Sequence, residues 1–269
     1  MSYKEFALRI FDFSKIQDSM RYFIELAYNG KNYHGWQIQP DAITIQEVVE
    51  NALSILLQEK IQVFGAGRTD AGVHAKQLFA HFDVKAIDSV SILIFKLNSF
   101  LPKDISIQNI ISVKEDAHAR FDALEREYEY VIALQKNPFS YDFAHCIHHQ
   151  PNIELMNVAS NLLLIYKDFQ CFSRSNTDVK TYNCDVKEAY WKYENSQLIF
   201  TIKADRFLRN MVRAIVGTLL DVGFEKTSIL NFHEILKSKD RSKAGSSAPA
   251  KGLYLTKVLY PERIKKQFK

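Results

Sequence analysis

Three glycines within eight residues, Gly65, Gly67 and Gly72, separate two apolar stretches of the chain. Ile61-Gln62-Val63-Phe64 runs into them and Leu78-Phe79-Ala80-His81-Phe82 follows. Both flanks read as strands, so the glycines mark a tight connection whose backbone can visit φ > 0 and admit a bulky partner. That connection, Gly65 to Ala75, carries one guanidinium (Arg68), one hydroxyl (Thr69) and one carboxylate (Asp70). A charged loop held between strands is where function concentrates. Asp and Gly are equally ordinary turn residues, so Asp70 also reads as a turn cap.

Two common glycine-rich loops are excluded by spacing. No Lys follows the glycines as a phosphate-binding P-loop requires, and no G-x-G-x-x-G opens an apolar helix as a dinucleotide site requires. What remains is a carboxylate two residues from an Arg. Such a positive neighbour favours the ionised form, and an ionised carboxylate serves as nucleophile or base.

Around this loop the periodicity is regular. Arg21 to Tyr28 alternates as a strand, with Tyr22, Ile24, Leu26 and Tyr28 on one side, and Asn29-Gly30 ends it. Thr44-Ile45-Gln46-Glu47 is a capping box. The helix behind it places Ile45, Val48, Val49, Ala52, Leu53, Leu56 and Leu57 on one face and ends near Gln58. Val90 to Ser99 predicts a second helix closed by Pro102, and Ile105 to Val113 a strand. In the second half, Arg126 to Leu134 alternates as a strand with Tyr128, Tyr130, Ile132 and Leu134 on one face. Glu154 to Tyr166 predicts a helix. Two strands, Cys184 to Tyr193 and Leu198 to Ala204, flank the turn Glu194-Asn195-Ser196. Helices over Phe207 to Val222 and Ile229 to Lys237 and a strand over Leu253 to Leu259 complete the pattern. This alternation predicts an α+β layer fold on an open sheet. Asp240 to Lys251, rich in Ser, Ala and Lys, is the expected mobile loop. Residues 1–19 fit no periodicity and read as an N-terminal extension, with halves at 20–115 and 116–269.

Composition narrows the partners. A net charge of +4 permits a nucleic-acid ligand without demanding one. No apolar run is long enough to span a bilayer, and charges interleave the N-terminus unlike a signal peptide. Cys146, Cys171 and Cys184 form no C-x-x-C pair, which points to a reducing compartment, no zinc site and a cytoplasmic protein. His145-Cys146-Ile147-His148-His149 lacks the acidic partner and helical spacing of a metal motif and reads as a polar loop.

Other residues carry two readings each. On the long helix, Leu208, Met211, Val212, Ile215, Val216, Leu219 and Leu220 form the buried stripe, with Arg209 and Arg213 projecting together at its edge. A half-buried Arg needs an anion, and Asp70 is the expected partner of Arg213, a surface Glu the alternative. Tyr128 reads as core, or as a ring that stacks on an extruded base. Trp36 reads as a packing anchor ahead of a base platform. His74 and His81 read as structural histidines or as proton carriers.

Gly65 to Ala75 closely resembles the active-site loop of the TruA family of tRNA pseudouridine synthases. Six further stretches are similar to that family in the same order: Tyr28 to Gln37, Ile45-Gln46-Glu47, His118-Ala119-Arg120-Phe121, Arg126 to Tyr130, Phe207 to Arg213, and Gly252 to Leu255. Lys76-Gln77-Leu78-Phe79 departs from the family's usual Gly-Gln-Val. The resemblance implies two ferredoxin-like (RRM-like) halves in one mainly antiparallel sheet, helices on one face and a catalytic cleft on the other. It implies an isomerase that turns uridines on the 3′ side of the tRNA anticodon arm into pseudouridine. Asp70 is then the nucleophile, Arg68 the neighbour that helps extrude the base, Tyr128 the base-stacking residue and Arg213 the ion partner of Asp70. The implied partners are tRNA and a second copy of the chain, with no membrane, no further protein and no cofactor. A catalytically silent RNA-binding protein of the same fold is one alternative. A nucleoside glycosidase is another, although the paired second carboxylate of glycoside hydrolysis is missing.

Overall fold

A computed structural model describes residues 19–174 and 180–265. Residues 1–18 of the expected N-terminal extension and residues 266–269 lie outside these. Among the described residues, nine strands share one sheet. In chain order these are β1 (Met20–Tyr28), β2 (Phe64–Gly65), β3 (His74–Val84), β4 (Ile105–Ser112), β5 (Glu125–Ala133), β6 (His145–Cys146), β7 (Val186–Glu194), β8 (Gln197–Ala204) and β9 (Leu253–Leu259). The helices are α1 (Ile45–Leu57), α2 (Val90–Phe100), α3 (Ile153–Leu162), α4 (Met211–Gly223) and α5 (Ile229–Ser238). The main path runs β4-β1-β3-β9-β5-β8-β7, with β2 added to β3 and β6 to β5. Pairing is antiparallel except at β3–β9 and β5–β6. The fold is thus mixed α/β on a mostly antiparallel sheet.

Local sequence explains most boundaries. Thr44 caps α1 by accepting from the Glu47 amide, and Gln58 ends it in the left-handed region. Ser89 and Ser228 cap α2 and α5 in the same way. Three elements differ from expectation. The long helix starts at Met211, because Asn210 takes φ 65° and interrupts the apolar pattern before it. Arg209 therefore lies in the preceding linker, exposed, and does not project beside Arg213. Helix α3 ends at Leu162, four residues before the predicted Tyr166. β3 begins at His74, so the strand reaches back into the loop motif itself.

β3 carries an irregularity where the sequence departs from the resembled family. Leu26 pairs with Leu78 but Tyr28 with Ala75, so Lys76 and Gln77 face one residue, Ala27. The bulge returns Leu78 to the core and sends Lys76 to the open face, where Nζ meets Glu129 at 2.7 Å.

One continuous apolar core lies between the helices and one sheet face. It includes Tyr22, Ile24 and Leu26 of β1, Ala80 and Phe82 of β3, Tyr128, Tyr130 and Ile132 of β5, and the stripe of α4. The opposite face carries only small clusters, one around Phe23, Val113 and Ala119 and another around Val131 and Ala133. Asp240 to Lys251, expected to be mobile, is pinned to α4. Gly245 N donates to Thr218 Oγ1 at 2.9 Å, Asn210 Nδ2 to Ser247 Oγ at 2.6 Å, and Tyr130 Oη to the Pro249 carbonyl at 2.8 Å. The segment and the helix approach closely: a Cβ on Gly217 of α4 would sit 1.7 Å from the Ser246 oxygen, and one on Gly245 3.1 Å from the Thr218 Cα.

Candidate active site

The Gly65–Ala75 loop is held by the residues just after β1. Gly35 takes φ +91° and approaches so closely that a Cβ there would lie 2.3 Å from the Thr69 oxygen. Trp36 N donates to that oxygen at 3.3 Å, and Gly72 N to the Tyr33 carbonyl at 3.2 Å. Tyr28 Oη shares a buried hydrogen bond of 2.8 Å with Thr69 Oγ1, and burial pushes its phenol pKa well up. Gly30 N donates to His74 Nδ1 at 3.1 Å while His74 Nε2 lies 3.2 Å from the Lys251 carbonyl. Nδ1 therefore accepts and Nε2 carries the proton, so His74 is neutral and structural. Trp36 is 1% exposed and is a packing anchor. The aromatic opening motif thus acts as the bed on which the loop is laid.

Asp70 emerges half-buried from this bed and meets Arg213 of α4: Arg213 Nη1 donates to Asp70 Oδ2 at 3.3 Å. Arg213 is itself fixed by Nε, which donates to the Ala248 carbonyl at 2.7 Å. The pinned 240–251 segment therefore orients the guanidinium. Arg68 is exposed in the same loop, and the ion pair of Asp70 runs to Arg213 instead. Tyr128 is 9% exposed, packed edge-on against Phe207 at 5.0 Å between ring centroids. Burial pushes its phenol up to about 12, and the nearby Asp70 charge adds to the rise. Tyr128 is thus a neutral aromatic ring beside the carboxylate.

The structure therefore brings Asp70, Arg213 and Tyr128 together, with Arg68 at the loop surface. It also corrects one expectation: this constellation does not lie on the face opposite the helices. Tyr128 shares its side of β5 with Tyr130 and Ile132, which face the helix-covered core, and Arg213 comes from one of those helices. Among the described residues, no group of three or more His, Cys, Asp or Glu is arranged to hold a metal ion.

Arg126 was missed. It lies two residues before Tyr128, on the inward phase of β5, where an Arg among aromatic and aliphatic neighbours is out of character. Its guanidinium donates to four backbone carbonyls, those of Ala66, Arg120, Ala123 and Asp205.

A family model described as tRNA pseudouridine synthase matches residues 26–122 and 164–261. The tRNA pseudouridine synthase A of Parabacteroides distasonis is 49% identical over 245 residues, 91% of this chain and 97% of its own length. That of Azobacteroides pseudotrichonymphae is 51% identical over 244 residues, 91% of this chain and 98% of its own. The Clostridium acetobutylicum protein of the same name is 41% identical over 239 residues, covering 88% and 98%. This chain belongs to the tRNA pseudouridine synthase family. As a pseudouridine synthase it is an enzyme of tRNA modification, an isomerase that converts uridine to pseudouridine. Asp70, Arg68 and Arg213 fall inside the segments matched by the family model, while Tyr128 and Arg126 lie between them. No helix among the described residues is long and apolar enough to cross a membrane.

Proposed function

We propose that this synthase acts on uridines of the 3′ side of the tRNA anticodon arm, with the Asp70 carboxylate as nucleophile on an extruded uridine. In this reaction the glycosidic C–N bond breaks, the uracil turns, and a C–C bond to the same sugar forms. Atoms and electrons balance within the substrate, so no redox partner is needed. The observation that carries the reading is the Asp70–Arg213 contact beside the Tyr128 ring. A fixed guanidinium holds the carboxylate in one orientation, and a neutral buried ring offers a stacking surface for an unpaired base. Stem uridines are buried in a helix, so extrusion precedes chemistry. Arg68, exposed on the loop, is free to fill the space that the base leaves.

The two halves, 20–115 and 116–269, are read as ferredoxin-like units. The same strand order supports this: β4-β1-β3-β2 in the first and β9-β5-β8-β7 in the second. They join through the parallel pairs His74–Tyr254 and Ala75–Leu255. A cytoplasmic homodimer that takes tRNA across both copies completes the proposal.

Asp70→Asn tests it. The wild type should form pseudouridine in unmodified tRNA, and the variant should bind that tRNA without turnover. Turnover by Asp70→Asn at the wild-type rate would remove Asp70 as nucleophile. A wild type that binds without turnover would mark a silent RNA-binding protein, and released uracil a glycosidase.

A further inference from the structure

We infer that Arg126 is a positioning residue that sets the catalytic geometry by tying together the three chain segments that carry it. The inference rests on the reading of Asp70, Tyr128 and Arg213 given above. Arg126 Nη2 donates to the Ala66 carbonyl at 2.9 Å and to that of Arg120 at 2.6 Å. Its Nη1 donates to the Asp205 carbonyl at 2.7 Å and to that of Ala123 at 2.9 Å. Ala66 begins the loop that ends in Asp70. Asp205 begins the linker into α4, the helix of Arg213. Arg126 itself sits on the strand and face of Tyr128. One side chain therefore touches every segment of the constellation, and through Ala66 it reaches from the second half into the first.

The chemistry of the contact fits this role. No carboxylate is among these four acceptors; main-chain dipoles alone satisfy the cation, and burial lowers its pKa from the ordinary value. A half-buried cation that feels the Asp205 charge but makes no direct ion pair gains little for stability from charge alone. Its worth lies in geometry: a planar guanidinium presents its donors in a rigid fork, whereas a Lys ammonium offers three donors from one point and cannot span the same carbonyls. The geometry to be kept is delicate. At 3.3 Å the Asp70–Arg213 contact is already at the long end of a hydrogen bond, and little further slack would break it.

The test uses the full chain and unmodified tRNA, with Arg126→Lys and Arg126→Gln, Arg213→Gln, the Arg126→Gln/Arg213→Gln double variant, and Asp70→Asn. Single-turnover pseudouridine formation, tRNA affinity and thermal unfolding are measured for each. Positioning predicts that Arg126→Lys, which keeps charge and bulk, loses about 10- to 100-fold in rate with tRNA affinity within about twofold of wild type. It also predicts non-additivity: the double variant should be slower than the slower single variant by no more than about threefold. Should Arg126→Gln fail to fold, the Arg126→Lys rate against affinity decides alone. A wild-type rate in Arg126→Lys, a loss confined to affinity, or full multiplication of the two single losses would overturn the inference. Asp70→Asn separates the two layers: wild-type turnover there sinks the site reading, whereas an inactive Asp70→Asn beside a fully active Arg126→Lys sinks only the role of Arg126.

Discussion

Arg213 and Asp70 stand 143 positions apart in the chain, and a single contact of 3.3 Å between Nη1 and Oδ2 closes that separation. The two side chains remain 22% and 25% exposed. Ion pairs with that much solvent contribute at most about 1 kcal/mol to folding, so the contact is an orienting device more than a brace. Arg213→Gln should therefore lower single-turnover pseudouridine formation by about 100-fold while shifting unfolding by about 1 kcal/mol or less. Denaturant titration beside the rate measurement checks this. An unfolded variant would show instead that the Ala248 contact of Nε carries the segment.

Gly35→Ala addresses the bed beneath the loop. The residue needs φ +91°, and the new Cβ would lie 2.3 Å from the Thr69 oxygen. Strain and clash act together, so stability should fall by about 1–3 kcal/mol or more, with turnover lost because Thr69 precedes Asp70. Gly67→Ala is the control, since a Cβ there meets nothing within 4 Å. Chemical denaturation of both variants should separate them clearly.

Tyr128 is one of several buried tyrosines that contribute on the alkaline side. Its phenol, pushed up to about 12 by burial, stays protonated where the unfolded chain, with a tyrosine pKa of about 10, has begun to ionise. The native state then binds more protons than the unfolded one, so this contribution is complete below pH about 10 and lost as the pH rises through about 12. Tyr128→Phe should remove on the order of 2–3 kcal/mol of alkaline destabilisation, read as the difference between urea-unfolding curves against pH. Between neutral pH and pH about 9 the wild-type turnover profile should contain no limb from this group.

His81 contributes on the acid side, together with the lowered His74, His118 and His145. It is buried, with Nδ1 accepting from Ala119 N at 3.2 Å, and burial brings its pKa down to about 4. The unfolded chain, with a histidine pKa of about 6.5, takes up that proton first. Stability from the neutral imidazole is thus present above about pH 6.5 and lost as the pH falls through about 4. His81→Asn, which offers an oxygen near the Nδ1 position, should flatten that loss by on the order of 3 kcal/mol. An unchanged acid limb in the unfolding curves would contradict the assignment.

Local elements of this protein were readable wherever a short pattern and a terminal residue agreed. Thr44 with the apolar face of α1 placed that helix correctly, as did the alternation of β1 and β5 for their strands. The long helix begins four residues later than its apolar spacing predicts, because that spacing does not register the left-handed turn at Asn210. The 240–251 segment departs from its composition for a related reason. Its Ser, Ala, Gly and Lys composition reads as mobile, yet small residues are also what lets a backbone lie against α4. Arg126 escaped notice because all its acceptors are main-chain carbonyls, which no side-chain pattern reveals.

Sequence alone determined the family, the identity of the charged residues on the loop, and the phase of the strand that turns Tyr128 inward. These are properties of neighbours along the chain, where period, cap and glycine act over a few residues. Tertiary structure decided which face of the sheet holds the site and which side chain binds the segments together. Those outcomes depend on the parallel meeting of β3 with β9 and on a helix laid across it, contacts between residues far apart in the chain that no local preference encodes.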